Sequence, residues 1–168
     1  MKIRMAGIAN DSIVDGEGIR FTLFVQGCPH NCEGCHNPQT HDFNSGYIDD
    51  TDKILEQIKQ NPLLDGVTFS GGEPFCQAEA LSYLGKQLKG LGYDIVTYTG
   101  YTFEYLLEHG NKENKWLDLL KVSDFLVDGR FELDKKRWDL RFRGSSNQRY
   151  LDCKESLKQG KAIEFLFA

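Results

Sequence analysis

Gly66-Val67-Thr68-Phe69-Ser70-Gly71-Gly72-Glu73-Pro74 opens a segment that runs through a helical pattern and closes on Tyr93-Asp94-Ile95-Val96-Thr97-Tyr98. Gly66 to Ser70 predicts a short strand and Tyr93 to Tyr98 a second one, both rich in β-branched and aromatic residues. Between them, Ala78, Leu81, Leu84 and Leu88 recur at helical spacing, which predicts a helix from Gln77 to Lys89 stopped by Gly90 and Gly92. Strand, helix, strand in this order implies parallel strands, because a right-handed crossover helix joins parallel neighbours.

The alternation continues on both sides. Ile19 to Gln26 reads as a strand, and Thr51 to Gln60 as a helix capped by Asp50 or Thr51 with Ile54, Leu55 and Ile58 on one face. Thr102 to His109 and Trp116 to Lys121 read as helices, Asp124 to Val127 as a strand, and Gln148 to Leu151 as another. Asp152 to Gln159 reads as a short helix and Ala162 to Phe167 as a last strand. Five or six such units are too few for a closed eight-stranded barrel, which takes about 250 residues. The expectation is one α/β domain over residues 1–168, an open partial (β/α) barrel of about five to six parallel strands. Chemistry in such sheets sits on loops at the carboxyl ends of the strands. The glycine-rich turns Gly71-Gly72-Glu73-Pro74, Thr99-Gly100-Tyr101 and Asp128-Gly129-Arg130 each follow a predicted strand, so they open on one rim.

A fourth turn on that rim follows the strand ending at Gln26. It reads Gly27-Cys28-Pro29-His30-Asn31-Cys32-Glu33-Gly34-Cys35-His36-Asn37. Three of the chain's five cysteines stand here in a C-x3-C-x2-C spacing. Three thiolates can hold an iron–sulfur cluster by three of its irons, leaving the fourth open to a non-protein ligand. A bare electron carrier would use four cysteines. Zinc is the alternative, with His30, His36 or His41 as fourth ligand, although zinc sites favour a second cysteine pair and close all four positions. Cys76 and Cys153 stand alone and read as small buried hydrophobes.

The bulk numbers narrow the class. With 168 residues and 40% hydrophobic content the chain can bury a real core. The net charge of −5 argues against a nucleic-acid partner. No apolar run approaches the roughly 20 residues that span a bilayer. Met1-Lys2-Ile3-Arg4-Met5-Ala6-Gly7 lacks the apolar core of a signal peptide, so a cytoplasmic location without a membrane partner is expected. Crowded cysteines fit a reducing compartment. One stretch is basic: Arg130, Lys135, Lys136, Arg137, Arg141, Arg143 and Arg149 against Glu132, Asp134 and Asp139. It reads either as a solvated surface or as a docking face for an acidic partner.

Cys28-x3-Cys32-x2-Cys35 followed by Gly71-Gly72-Glu73-Pro74 resembles the radical S-adenosylmethionine (SAM) superfamily. Val14-Asp15-Gly16-Glu17-Gly18-Ile19-Arg20 resembles the opening of glycyl-radical-enzyme activases. Within these, Gly27 to Thr40, Tyr98-Thr99-Gly100-Tyr101-Thr102-Phe103-Glu104, Asp128-Gly129-Arg130-Phe131 and Arg143-Gly144-Ser145-Ser146-Asn147-Gln148-Arg149 resemble the activating proteins of anaerobic (class III) ribonucleoside-triphosphate reductases. The likeness covers nearly the whole chain. Three positions depart from it: Gly34, where an aromatic often precedes the last cysteine; Glu17, often proline; and His36, often tyrosine.

The resemblance implies a [4Fe–4S] cluster on Cys28, Cys32 and Cys35, which makes these residues both metal ligands and the catalytic set. It implies that Gly71, Gly72 and Glu73 contact the methionine end of SAM, with Glu73 or a nearby carbonyl accepting from the amino group. Gly34 and His36 would meet the adenine through backbone groups. The implied activity is reductive SAM cleavage that makes a glycyl radical on anaerobic ribonucleoside-triphosphate reductase, fed by a low-potential donor such as flavodoxin or ferredoxin. An activase for another glycyl-radical enzyme of the formate-lyase type, or a zinc-binding interaction module, is the alternative.

Overall fold

The computed structural model describes residues 1–167. Among these residues seven strands form one sheet: β1 (Lys2–Ser12), β2 (Arg20–Val25), β3 (Tyr47–Asp50), β4 (Gly66–Gly71), β5 (Asp94–Tyr98), β6 (Phe125–Asp128) and β7 (Arg149–Asp152). Their spatial order is β3-β1-β2-β4-β5-β6-β7. The helices are α1 (Thr51–Lys59), α2 (Ala78–Gly90), α3 (Phe103–His109), α4 (Trp116–Val122) and α5 (Cys153–Gln159). Caps fall where short polar side chains precede a helix. Asp50 accepts from Asp52 N, Thr102 from Tyr105 N and Asp152 from Glu155 N.

The open α/β sheet is as expected, but its parallel part is smaller. Only β2, β4, β5 and β6 run parallel, four strands instead of five to six. β1 pairs antiparallel with β2, β3 with β1, and β7 with β6. The reason is the connections. No α-helix separates β1 from β2 or β6 from β7, and without a crossover the chain returns antiparallel. Neither β1 nor β3 was legible as a strand. Gly7 and Asn10-Asp11 interrupt the first, and the second is four residues long with two aspartates. Ala162 to Phe167 is not a strand. It runs along β7 with one bridge between Leu151 and Glu164, while Phe165 N donates to Tyr150 O at 2.9 Å.

Alternation along the strands separates two faces. Phe21, Leu23, Val25, Val67, Phe69 and Ile95 face the helices and pack on Ile54, Ile58, Leu81, Leu84, Leu88, Leu119 and Leu120. The opposite face carries a second cluster of Val96, Val127 and Tyr150, joined by Tyr98, Phe142, Phe165 and Phe167. Also buried is Arg20, only 1% exposed. Its guanidinium donates to Thr68 Oγ1 (2.7 Å), Val67 O (2.9 Å), Glu17 O (2.9 Å) and Asp94 Oδ1 (2.5 Å). Removing it leaves two buried acceptors, Thr68 Oγ1 and Val67 O, without their donor. We expect Arg20→Ala to lower the stability of the metal-free protein by about 2–3 kcal/mol in urea unfolding, with Arg20→Lys recovering only part. A loss under 0.5 kcal/mol would show that water replaces the guanidinium. Among the described residues no helix is long and apolar enough to cross a membrane.

Candidate metal centre

All four parallel strands end at one rim, and the loops beyond them meet there. The loop after β2 is pinned at both ends. Gly27 N donates to Thr40 O (2.7 Å), Cys28 N to His41 O (3.2 Å), and Gln26 Nε2 to Gln39 O (3.0 Å) and Asp42 O (2.7 Å). Between the pins the chain turns tightly, with Asn31 and Gly34 at φ of 51° and 75° and Cys35 N donating to Cys32 O at 3.2 Å. Such left-handed turns aim successive backbone N–H groups inward, a surround suited to bound sulfur or anions.

Cys28, Cys32 and Cys35 line one cavity of ≈ 670 Å³, together with His36, Gly71 and Gly72. All three are free thiols. Burial pushes the Cys28 thiol up to about 11, against the opposing N–H of His30. Burial raises Cys32 as well, opposed by the N–H of Phe131, which reaches it from the loop after β6. Asn37 N donates to Cys35 Sγ at 3.4 Å. A bound metal deprotonates its thiol ligands outright, so burial is no obstacle to ligation. Among the described residues no three His, Cys, Asp or Glu side chains converge on one point as ligands of a single ion would. Ligands to separate irons of a cube need no such convergence. The donor set, three thiols with inward N–H groups on one cavity, fits a three-cysteine [4Fe–4S] cluster.

The turn after β4 lies against the cysteine loop. Gly72 N donates to Val25 O (2.7 Å) and Glu73 N to Gly27 O (2.8 Å). A Cβ on Gly72 would run into the backbone carbonyl of Gly27, so only glycine lets the two loops approach this closely. The Glu73 carboxylate is fully buried. Oε1 accepts from His30 Nε2 (2.6 Å), Thr99 Oγ1 (2.8 Å) and Gly100 N (2.8 Å), and Oε2 from Phe75 N (3.0 Å). It therefore ties the cysteine loop to the end of β5. Gly34 is not on the cavity wall either; His36 is. Cys153 is buried, as expected, whereas Cys76 is exposed, because the 3-10 turn after Pro74 carries it to the surface.

Reading motifs one at a time hides the loop between β6 and β7. Gln148 Nε2 donates to Gly129 O (3.0 Å), Gln148 Oε1 accepts from Gly144 N (2.9 Å), and Asn147 Nδ2 donates to Arg130 O (2.7 Å). Asp128-Gly129-Arg130-Phe131 and Gly144 to Gln148 are thus the two ends of one clasp. It brings Phe131, Trp138, Phe142 and Arg143 to the cavity. The basic stretch lies on this clasp, partly neutralised. Arg149 is held by Asp128 and Glu104, Arg137 by Asp139, and Lys135 by Glu132. Arg130, Lys136 and Arg143 have no ion-pair partner among the described residues.

Fold and site together define a protein built to hold one iron–sulfur cluster, and a family model described as a 4Fe-4S single cluster domain matches residues 14–151. Among curated relatives, the anaerobic ribonucleoside-triphosphate reductase-activating protein of Pasteurella multocida is 36% identical over 145 residues, covering 81% of this chain and 89% of that one. Those of Enterobacteria phage T4 and Escherichia coli K12 are 37% and 38% identical, covering 81% of this chain in each case and 85% and 90% of theirs. The chain belongs to the family of anaerobic ribonucleoside-triphosphate reductase-activating proteins. A likeness to the crystal structure of QueE from Escherichia coli, at a TM-score of 0.47 and 19% identity over 61% of this chain and 54% of that one, is too slight to bear on the function.

Proposed function

We propose that this chain reductively cleaves SAM at a [4Fe–4S] cluster and installs a glycyl radical on an anaerobic ribonucleoside-triphosphate reductase. The observation that carries this reading is three free cysteines, one fewer than a closed cluster takes, lining the same cavity as Gly71-Gly72. Cys28, Cys32 and Cys35 would hold the cluster. It would supply the electron for reductive cleavage of SAM, which would yield methionine and, after hydrogen abstraction from the partner's glycine, 5′-deoxyadenosine. Gly71 and Gly72 let the methionine end come close to backbone, whose carbonyls accept from its amino group. Glu73 acts behind them, fixing the cysteine loop through His30. His36 stands on the wall beside the last ligand.

Iron–sulfur potentials extend to about −700 mV, so the donor is a low-potential protein such as flavodoxin or ferredoxin. Five free cysteines suit a reducing compartment, the cytoplasm. The unpaired cations Arg130, Lys136 and Arg143 beside the cavity support docking of an acidic surface of the reductase. Arg143→Glu is expected to slow glycyl-radical formation roughly tenfold at low salt, with iron content unchanged, since rim charges act on the association rate. Equal loss of iron and of radical would refute this separation.

The direct test is anaerobic reconstitution with iron and sulfide, then dithionite and SAM, scoring 5′-deoxyadenosine. Addition of the reductase should give a glycyl radical by electron paramagnetic resonance. A protein that loads its cluster and never releases 5′-deoxyadenosine sinks the reading.

A further inference from the structure

Gly34 leaves the cysteine loop without the aromatic that would stack on adenine, and other residues already occupy the space above it. A Cβ on Gly34 would lie 2.9 Å from Leu133 Cδ1 and 3.3 Å from Phe131 Cε1, at a φ of +75° that disfavours any side chain. Phe131 is also wedged from the other side. A Cβ on Gly144 would lie 2.9 Å from its Cδ2 and 3.0 Å from its Cε2. Two glycines, distant in sequence, thus make room for one ring. The His36 ring packs on it, centroids 5.2 Å apart and tilted by 46°. Phe131 and His36 line the cavity that holds the three cysteines, and Leu133 does not.

The position on the sheet matters equally. Gly71 ends β4 and Phe131 follows β6, with β5 between them. Two strand spacings separate the ends of β4 and β6 by roughly 10 Å, so the loops that leave them stand on opposite sides of β5. The glycine wall can take an amino-acid end, because residues without a Cβ let a ligand come close to the backbone. The Phe131 wall is aromatic and takes a flat ring.

We infer that Phe131, backed by His36, packs against the adenine of SAM, and that the loop after β6 thereby replaces the aromatic absent at Gly34. This rests on the SAM-cleaving function proposed above. Stacking on the base accounts for affinity toward the adenosyl end and leaves the methionine end untouched.

The test uses the full chain, reconstituted anaerobically as wild type, Phe131→Tyr, Phe131→Leu and Phe131→Ala. Iron content and absorbance report the cluster. SAM and free methionine are titrated separately, by calorimetry and by perturbation of the reduced cluster's paramagnetic resonance. Phe131→Ala should weaken SAM binding roughly 5- to 150-fold, the worth of one base–aromatic stack. Phe131→Leu, which keeps bulk between the two glycines, should load a full cluster and still weaken SAM severalfold. Phe131→Tyr should bind SAM within about twofold of wild type. Methionine affinity should stay constant throughout. Wild-type SAM affinity in both the Leu and Ala variants would overturn the inference, and so would a parallel loss of SAM and methionine. A wild-type protein that never binds SAM would instead overturn the proposed function itself.

Discussion

Cys28→Ala, Cys32→Ala and Cys35→Ala should each yield a folded protein that carries little or no cluster and forms glycyl radical about 1,000-fold more slowly or not at all. The three thiols share one task, so the triple variant should be no worse than any single one, the non-additivity expected of groups that act as a unit. The loop should survive each change, because its pins are backbone bonds from Gly27 to Thr40 and from Cys28 to His41 and the Gln26 amide, none of which uses a thiol. Cys76→Ala and Cys153→Ala serve as the contrast. Cys76 is exposed, and buried Cys153 only donates to Leu120 O at 3.3 Å, so both variants should keep full iron content. Iron and sulfide assays of all five decide the matter. Cluster retention in any of the first three, or its loss on changing Cys76, would move the ligand set.

Glu73→Ala should be the most destabilising single change at the rim, costing about 3–5 kcal/mol in metal-free protein and reducing cluster loading with it. Four donors converge on that carboxylate in a fully buried place, and alanine leaves all of them without partners. Glu73→Gln is the sharper probe. With its amide oxygen kept toward His30, Thr99 and Gly100, its NH2 must face the N–H of Phe75, donor against donor. The flipped amide sets its NH2 against Gly100 N, donor against donor, and needs His30 and Thr99 to turn into acceptors. We expect about 1–3 kcal/mol lost in urea unfolding. A Glu73→Gln protein of unchanged stability that bound SAM poorly would show that the side chain turns outward to the ligand after all.

The gathering of three thiols on one cavity was legible because it is local. Three cysteines within eight positions on one loop need no tertiary knowledge to be read as one ligand set. The Gly71-Gly72 approach to the cysteine loop was legible in part, since paired glycines announce a close backbone contact without naming the partner. The role of Glu73 was not. Its donors come from His30, Thr99 and Gly100, which are remote in sequence, and a motif tells nothing of which way a carboxylate turns. The placing of Phe131 is not legible for the same reason. Its ring fills the space left by Gly34 and Gly144, and that space exists only once the clasp held by Gln148 has closed.

For the fold, periodicity and glycine stops were enough to specify the β4–α2–β5 unit, because helical spacing and crossover handedness are local facts of the sequence. Strand direction at the two ends of the sheet was a matter of assembly. β1 and β7 turn antiparallel because no α-helix joins β1 to β2 or β6 to β7, and β3 gains strand form only by pairing with β1. Hydrogen bonding to a neighbour, not intrinsic preference, makes such short polar strands. The same holds for the cavity: its thiols come from one loop, but its walls come from strands brought side by side.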